Sequence, residues 1–357
     1  MEDMLKEKDR AAYHKAIELC AEGGHQLLYL TRHGSHLYGT STPNSDVDYK
    51  GVFLPNLMDI IMGKKFHTLD FQTKDDACVK NTNEDVDLQL FVIQFWLNKL
   101  VKKGETEGIE LLYSHSNVDA VVHCDPIMMD VFAAKSNLFD PRNTQGFLGF
   151  AISQARTYFT KAERFTVIKD VRNFVLSCQE VDPEYFETKK LSDVIGELLS
   201  RYAHDTYCFE TDSNGLRAIQ ICGKVHQETI ELTEFMDRIE REYKKYGHRT
   251  KSAADLDNKD WKSLSHALKA ICEVATLLQT GHIQFPLPER ELLRSIKMGE
   301  VDFEKVQKLI FDGIDTVDRL TADFDSTYWK YNAEYVRLLL LKMYWKQMEG
   351  FVDFLND

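Results

Sequence analysis

The spacing of apolar and polar positions changes several times along the chain. Residues 4–22 set Leu5, Ala12, Ile17 and Leu19 among charged neighbours at helical intervals, and the glycines of EGGH end that helix. Strand signals follow. QLLYLTRH (26–33) is a strand candidate ending at Gly34, and KFHTLDFQTK (65–74) reads as a strand by its β-branched and aromatic content. Between them, DVDYKGVFLP (46–55) is polar at 46, 48 and 50, apolar at 47 and mostly beyond, and closed by Pro55. EDVDLQLFVIQFWLNKLVKKG alternates over 85–91 and takes helical spacing over 92–103, while GIELLYS (108–114) reads as a short buried strand or a helix start.

After about residue 142 the character changes. Phe147, Phe150, Ala151 and Gln154 fall at helical spacing, and no proline occurs between Glu184 and Phe285. That stretch reads as helices joined by polar turns such as DSNG and KSAADLDNKD. WKSLSHALKAICEVATLLQTG is strongly periodic and ends in glycine, FPLPERELLRSIKMGE starts a helix after a proline turn, and the last helix includes YVRLLLLKMYW, a core or oligomer face. There is no internal repeat. The expected class is α+β: a small mixed-sheet domain over 1–140, then an all-helical domain over 141–357.

Composition changes this picture little. A chain of 357 residues with 43% hydrophobic content fits two cores. The net charge of −13 makes a long phosphate-tracking surface less favoured without excluding nucleic acid. Seven scattered cysteines, at 20, 78, 124, 178, 208, 222 and 272, form neither a disulfide framework nor a cysteine zinc site. No run reaches about 18 apolar residues, so no membrane partner is expected and the expected compartment is the cytoplasm.

The chemistry concentrates in TRHGSHLYGTSTPNSDVDYKGVF, residues 31–53. Asp46 and Asp48 lie at i and i+2 of a strand and share a face. Unpaired, each disfavours the ionisation of the other, and a divalent cation between them removes the repulsion. Hard oxygen donors at this spacing suit Mg²⁺ carried with substrate phosphates. Upstream, the Gly34–Ser35 turn after a strand offers backbone N–H groups to phosphate. A third carboxylate completes a two-metal phosphoryl-transfer set. Asp85 and Asp87 share one face of the later strand; Asp87, inside the alternating run, is preferred, with Asp85 and Glu84 as substitutes. A lone D-x-D or a lone Gly-Ser carries little. Their order here, strand, GS, strand with DxD, later strand with Asp, carries more.

These residues resemble the signature of the DNA polymerase β superfamily of nucleotidyltransferases, and in particular its predicted, RNA-ligase-associated phage and bacterial branch. Gly34 and Ser35; Tyr38, Gly39 and Thr40; Ser45, Asp46, Asp48, Lys50 and Gly51; Asp87; and Glu110, Leu111, Leu112 and Tyr113 match it over roughly 26–115. A weaker likeness continues in the C-terminal helices. There Lys262, His266 and Lys269 stand at KxxxHxxR spacing, with lysine in the arginine place and so a point charge instead of a bidentate fork.

The resemblance implies transfer of a nucleoside monophosphate from an NTP, ATP first, to an acceptor hydroxyl, releasing pyrophosphate. Asp46, Asp48 and Asp87 would be the catalytic carboxylates and hold two Mg²⁺ ions, with Mn²⁺ as the alternative. Gly34 and Ser35 would hold the outer phosphates, and Lys50, Lys262, His266 and Lys269 would complete the nucleotide contacts. A solvated helix face is an equal reading for Lys262, His266 and Lys269, and an ion pair with Asp48 is an equal reading for Lys50. His33 and His36 beside the turn are expected to cap or pack. The basic stretches at 101–104 and 242–252 read as solvated helix ends in preference to RNA contacts. RNA ends, a protein hydroxyl and a small molecule all stay open as acceptors, as does the oligomeric state. Two other classes remain: a nucleotide-binding regulatory or antitoxin-like protein without turnover, and a structural interaction protein.

Overall fold

The computed structural model describes residues 6–43, 45–65, 67–73, 85–201, 207–246 and 260–356. Helix α1 (Glu7–Glu22) precedes a five-stranded sheet built from β1 (Gln26–Arg32), β2 (Val47–Leu54), β3 (Thr68–Gln72), β4 (Val86–Val92) and β5 (Val121–Cys124). The strand order is β3-β4-β2-β1-β5. β2 and β4 run parallel, and every other pairing is antiparallel. The sheet is mixed because the chain reverses direction twice between β2 and β4, into β3 and out of it.

Alternation fixes which face is core. Val47, Tyr49 and Leu88 turn toward Ala12, Ala16 and Cys20 of α1, together with Leu27, Leu30, Phe53, Leu90 and Val92. Asp48 and Asp87 therefore take the opposite face. Arg32, at the end of β1, pairs with Asp9 of α1 at 3.3 Å, and the Tyr49 hydroxyl donates to the same carboxylate at 2.9 Å. These bonds pin α1 behind the sheet. GIELLYS resolves as a helix, Thr106–Tyr113, nearly all of it buried.

The chain divides into two compact units, and the division is not the sequential one expected. The first comprises 1–76, 81–152 and 264–357, and the second 77–80 and 153–263. A boundary at 140 fails because the C-terminal helices return to the sheet-bearing unit. Tyr113 donates to the Gly281 carbonyl at 3.1 Å, the Leu287 amide to Tyr38 at 3.1 Å, and the Asn332 amide to Asn137 at 2.8 Å.

The second unit has its own core, built from Val171, Phe174, Ile195, Leu198, Phe235 and Ile239 with their neighbours. It is not wholly helical: β6 (Cys208–Ser213), β7 (Leu216–Ile221) and β8 (Lys224–Gln227) form an antiparallel meander. DSNG, expected to join helices, is the β6–β7 hairpin turn. Asn214 and Gly215 stand at φ 58° and 77°, the left-handed pair that a tight hairpin requires. The α+β class holds, with helices dominating beyond the first sheet. Among the described residues no helix is long and apolar enough to cross a membrane.

Candidate active site

The site grows from the parallel pairing of β2 with β4. Their register sets Asp48 opposite Asp87, and Lys50 opposite Gln89, on the face that α1 leaves uncovered. Asp46 lies just before β2, half-buried like its two partners. Burial, Asp46 and Asp85 together push the Asp87 carboxyl above the ordinary aspartate range. That shift ties Asp46 electrostatically to the strand pair. Asp85 sits at the mouth of β4 and is close enough to add to the repulsion; Glu84 lies outside the described residues.

Next to this pair the chain turns into α2 (Gly34–Tyr38). Gly34 sits at φ +59°, and a Cβ built on it would fall on Asp48 Oδ2. Glycine is required twice there, for its backbone and for the room it leaves the carboxylate. The His33 amide donates to the Asp48 carbonyl at 2.7 Å, joining the turn to β2. The Ser35 carbonyl accepts from Gly39 and Thr40, so the turn closes on itself. His36 is held by a backbone hydrogen bond at Asp46, while burial and Arg32 push its pKa down.

Lys50 shares the aspartates' strand face, but its ammonium reaches Glu107 at 2.5 Å. Lys262 and His266 are exposed on the first turns of the Trp261–Thr280 helix, Lys262 within the second unit and His266 within the first. Lys269 is different. It is buried, ion-paired with Glu110 and 3.4 Å from Glu273, and its ammonium lies 4.0 Å from the Tyr38 ring centroid. Its partners are carboxylates of the interior, where a phosphate contact was expected.

Glu110 gathers the rest of this interior group. The Tyr38 hydroxyl donates to Glu110 Oε2 at 2.7 Å, and His33 Nε2 stands 3.4 Å from the same oxygen. Burial opposes the charge on Glu110, but the Lys269 ammonium beside it and the hydrogen bonds from Lys269 and Tyr38 outweigh it and hold the carboxyl below its usual range. Burial pushes His33 down to about 3, so its imidazole is neutral, and pushes Glu273 up to about 8. The interior thus keeps one carboxylate against one ammonium. Sequence reading missed Glu110, Glu107, Glu273 and Tyr38 as partners. The trace was present in ALKAICEVATLL, where Lys269 and Glu273 lie at i and i+4 inside an apolar run.

Among the described residues, no group of three or more His, Cys, Asp or Glu side chains stands arranged around a common metal position. The donor chemistry nonetheless suits a hard divalent ion. The three candidates are all carboxylates, two are in register on adjacent strands, and Asp87 carries a repulsion that a cation would relieve.

The family model described as RNA repair pathway DNA polymerase beta family matches residues 10–182. An uncharacterised 38.9 kDa protein of the nrdC–mobD intergenic region of Enterobacteria phage T4 is 27% identical over 331 residues, covering 88% of this chain and 97% of that one. A solved nucleotidyltransferase-like protein from Exiguobacterium sibiricum 255-15 aligns at TM-score 0.25 and 8% identity, over 88% of this chain and 74% of that one. The resemblance read from the GS turn and the aspartates is borne out: over residues 10–182, which hold every one of Gly34, Asp46, Asp48 and Asp87, the chain matches the model of the RNA repair pathway DNA polymerase beta family.

Proposed function

We propose that the chain transfers a nucleoside monophosphate from an NTP to an acceptor hydroxyl and releases pyrophosphate. The observation that carries this reading is Asp48 in register with Asp87, with Gly34 leaving Asp48 the room that a side chain would take. Asp46, Asp48 and Asp87 would hold divalent ions, Mg²⁺ first. When bound, those ions neutralise the charge of the triphosphate.

The chain's own groups do the positioning. Backbone N–H groups of the Gly34–Ser35 turn orient the outer phosphates beside β2. Asp87 takes the proton of the acceptor hydroxyl as its oxygen bonds to the α-phosphorus. The bond from that phosphorus to the bridging oxygen breaks, and pyrophosphate leaves. Catalysis is then mainly orientation and charge stabilisation. The family description names an RNA repair pathway, which favours an RNA hydroxyl as acceptor; ATP is the first donor to try.

The test is transfer of label from α-³²P-NTPs, all four in turn, to RNA, to protein and to small-molecule extract with Mg²⁺. Asp46→Ala and Asp48→Ala should each abolish labelling while leaving the thermal midpoint near that of the wild type. Transfer persisting in the double variant would overturn the site. Saturable NTP binding with no labelled product would favour a nucleotide-binding regulator.

A further inference from the structure

One helix touches both halves of the site. On Thr106–Tyr113, Glu107 and Glu110 lie at i and i+3 and so share a face. Glu107 takes Lys50, two residues beyond Asp48 on β2, at 2.5 Å. Glu110 takes the far end of the GS turn through the Tyr38 hydroxyl at 2.7 Å, and the neutral His33 ring at its near end stands 3.4 Å away without a hydrogen bond. Its remaining oxygen is paired with Lys269, which is 6% exposed, on the Trp261–Thr280 helix. The Lys269 ammonium also lies over the Tyr38 ring, so the two residues hold one another as well as Glu110. A buried ion pair of this kind is a poor source of net stability, because desolvation of the two charges offsets most of their attraction. It is a good source of fixed geometry, since each partner has one low-energy arrangement in the interior.

We infer that Glu110 and Lys269 are positioning residues that hold the GS turn at a fixed distance from Asp48, with Glu107–Lys50 holding β2 to the same helix. The inference rests on the proposed transferase reading for what the turn holds, but the geometry it asserts belongs to the nucleotide-free chain. On this view Lys269, although it stands where a phosphate-binding cation was expected, never meets the nucleotide. It acts through Glu110.

Two variants test this. Tyr38→Phe removes the tether from the turn and leaves the ion pair in place. The double variant Glu110→Gln/Lys269→Met removes both charges together and leaves no uncompensated buried charge. The first readout is amide hydrogen exchange of the full chain without nucleotide, at Tyr38, Gly39 and Thr40, against the β1 and β2 amides as an internal standard. Exchange at the turn should rise at least about 5-fold in both variants while β1 and β2 stay as in the wild type. Unchanged exchange at the turn, or an equal rise through β1 and β2, would overturn the inference. The second readout is NTP binding with Mg²⁺, which should weaken about 10-fold or more in the double variant, as expected when bound geometry is no longer preorganised. If the wild type binds none of the four NTPs, the transferase reading fails, and the exchange measurement still decides whether the turn is held by Glu110.

Discussion

At the scale of single residues, Gly34 is where the fold and the proposed chemistry constrain each other most. Its left-handed backbone would cost an alanine about 1–2 kcal/mol. The added Cβ would also come within 2.3 Å of Asp48 Oδ2, so the carboxylate would have to leave its position. Gly34→Ala is therefore expected to lower the unfolding free energy modestly, by about 1–2 kcal/mol. Transfer should fall on the order of 100-fold, because a displacement of about 1 Å at a reacting group is that costly. Chemical denaturation and label transfer on the same preparation check the two together. An active variant of reduced stability would mean that Asp48 has freedom the structure does not suggest. The residue's role was half legible in the sequence. A Gly-Ser pair after a strand announces a turn, but that the glycine faces a particular carboxylate depends on β2 folding back beside it.

At the scale of elements, the legible features were those fixed by local alternation. β2 and β4 announced themselves through period-two patterns with aspartates on the polar phase, and the parallel register then brought Asp48 and Asp87 opposite one another. GIELLYS could not be assigned by period because Glu110, an acid, is as buried as the leucines around it. The β6–β8 meander was overlooked although Asn214-Gly215 between two alternating runs is a hairpin signal; the surrounding helical periodicity outweighed it. The Trp261–Thr280 helix carries a prediction of its own through Glu273. Its folded-state pKa, raised by burial to about 8, exceeds the ordinary 4.5, so the folded chain holds a proton that the unfolded chain has released. The stability this group contributes is whole below that window and declines as pH rises through it, by at most ~1.4 kcal/mol per pH unit. Thermal midpoints of the wild type should thus fall between about pH 6 and about pH 8, and Glu273→Gln should flatten the fall. A variant with the wild-type slope would show that Glu273 ionises without cost in the interior.

At the scale of the molecule, the sequence suggested two consecutive domains, and contacts over long separations make that order wrong. Pattern reading sees neighbours in the chain; it has no access to a helix that returns after more than a hundred residues. Glu110 finds its counter-charge at Lys269, and Asp130 finds Lys342 at 2.6 Å. Leu57 donates its amide to Gln347 at 3.1 Å, and Lys330 donates its amide to the Ser136 carbonyl at 3.0 Å. A fragment ending at residue 140 would keep every strand of the five-stranded sheet and all three candidate aspartates, yet lose each of these partners. It would also leave Glu110 as a buried carboxylate without its ammonium, a loss worth about 3–5 kcal/mol, comparable with the whole stability of many domains. Residues 1–140 alone are therefore expected to lack a cooperative thermal transition and to fail in NTP transfer, while the full chain shows both. Circular dichroism melts and the labelling assay check this side by side. A fragment that melted cooperatively and still transferred label would show that the C-terminal helices are an accessory to a self-sufficient catalytic core, and that the sequential division was the functional one after all.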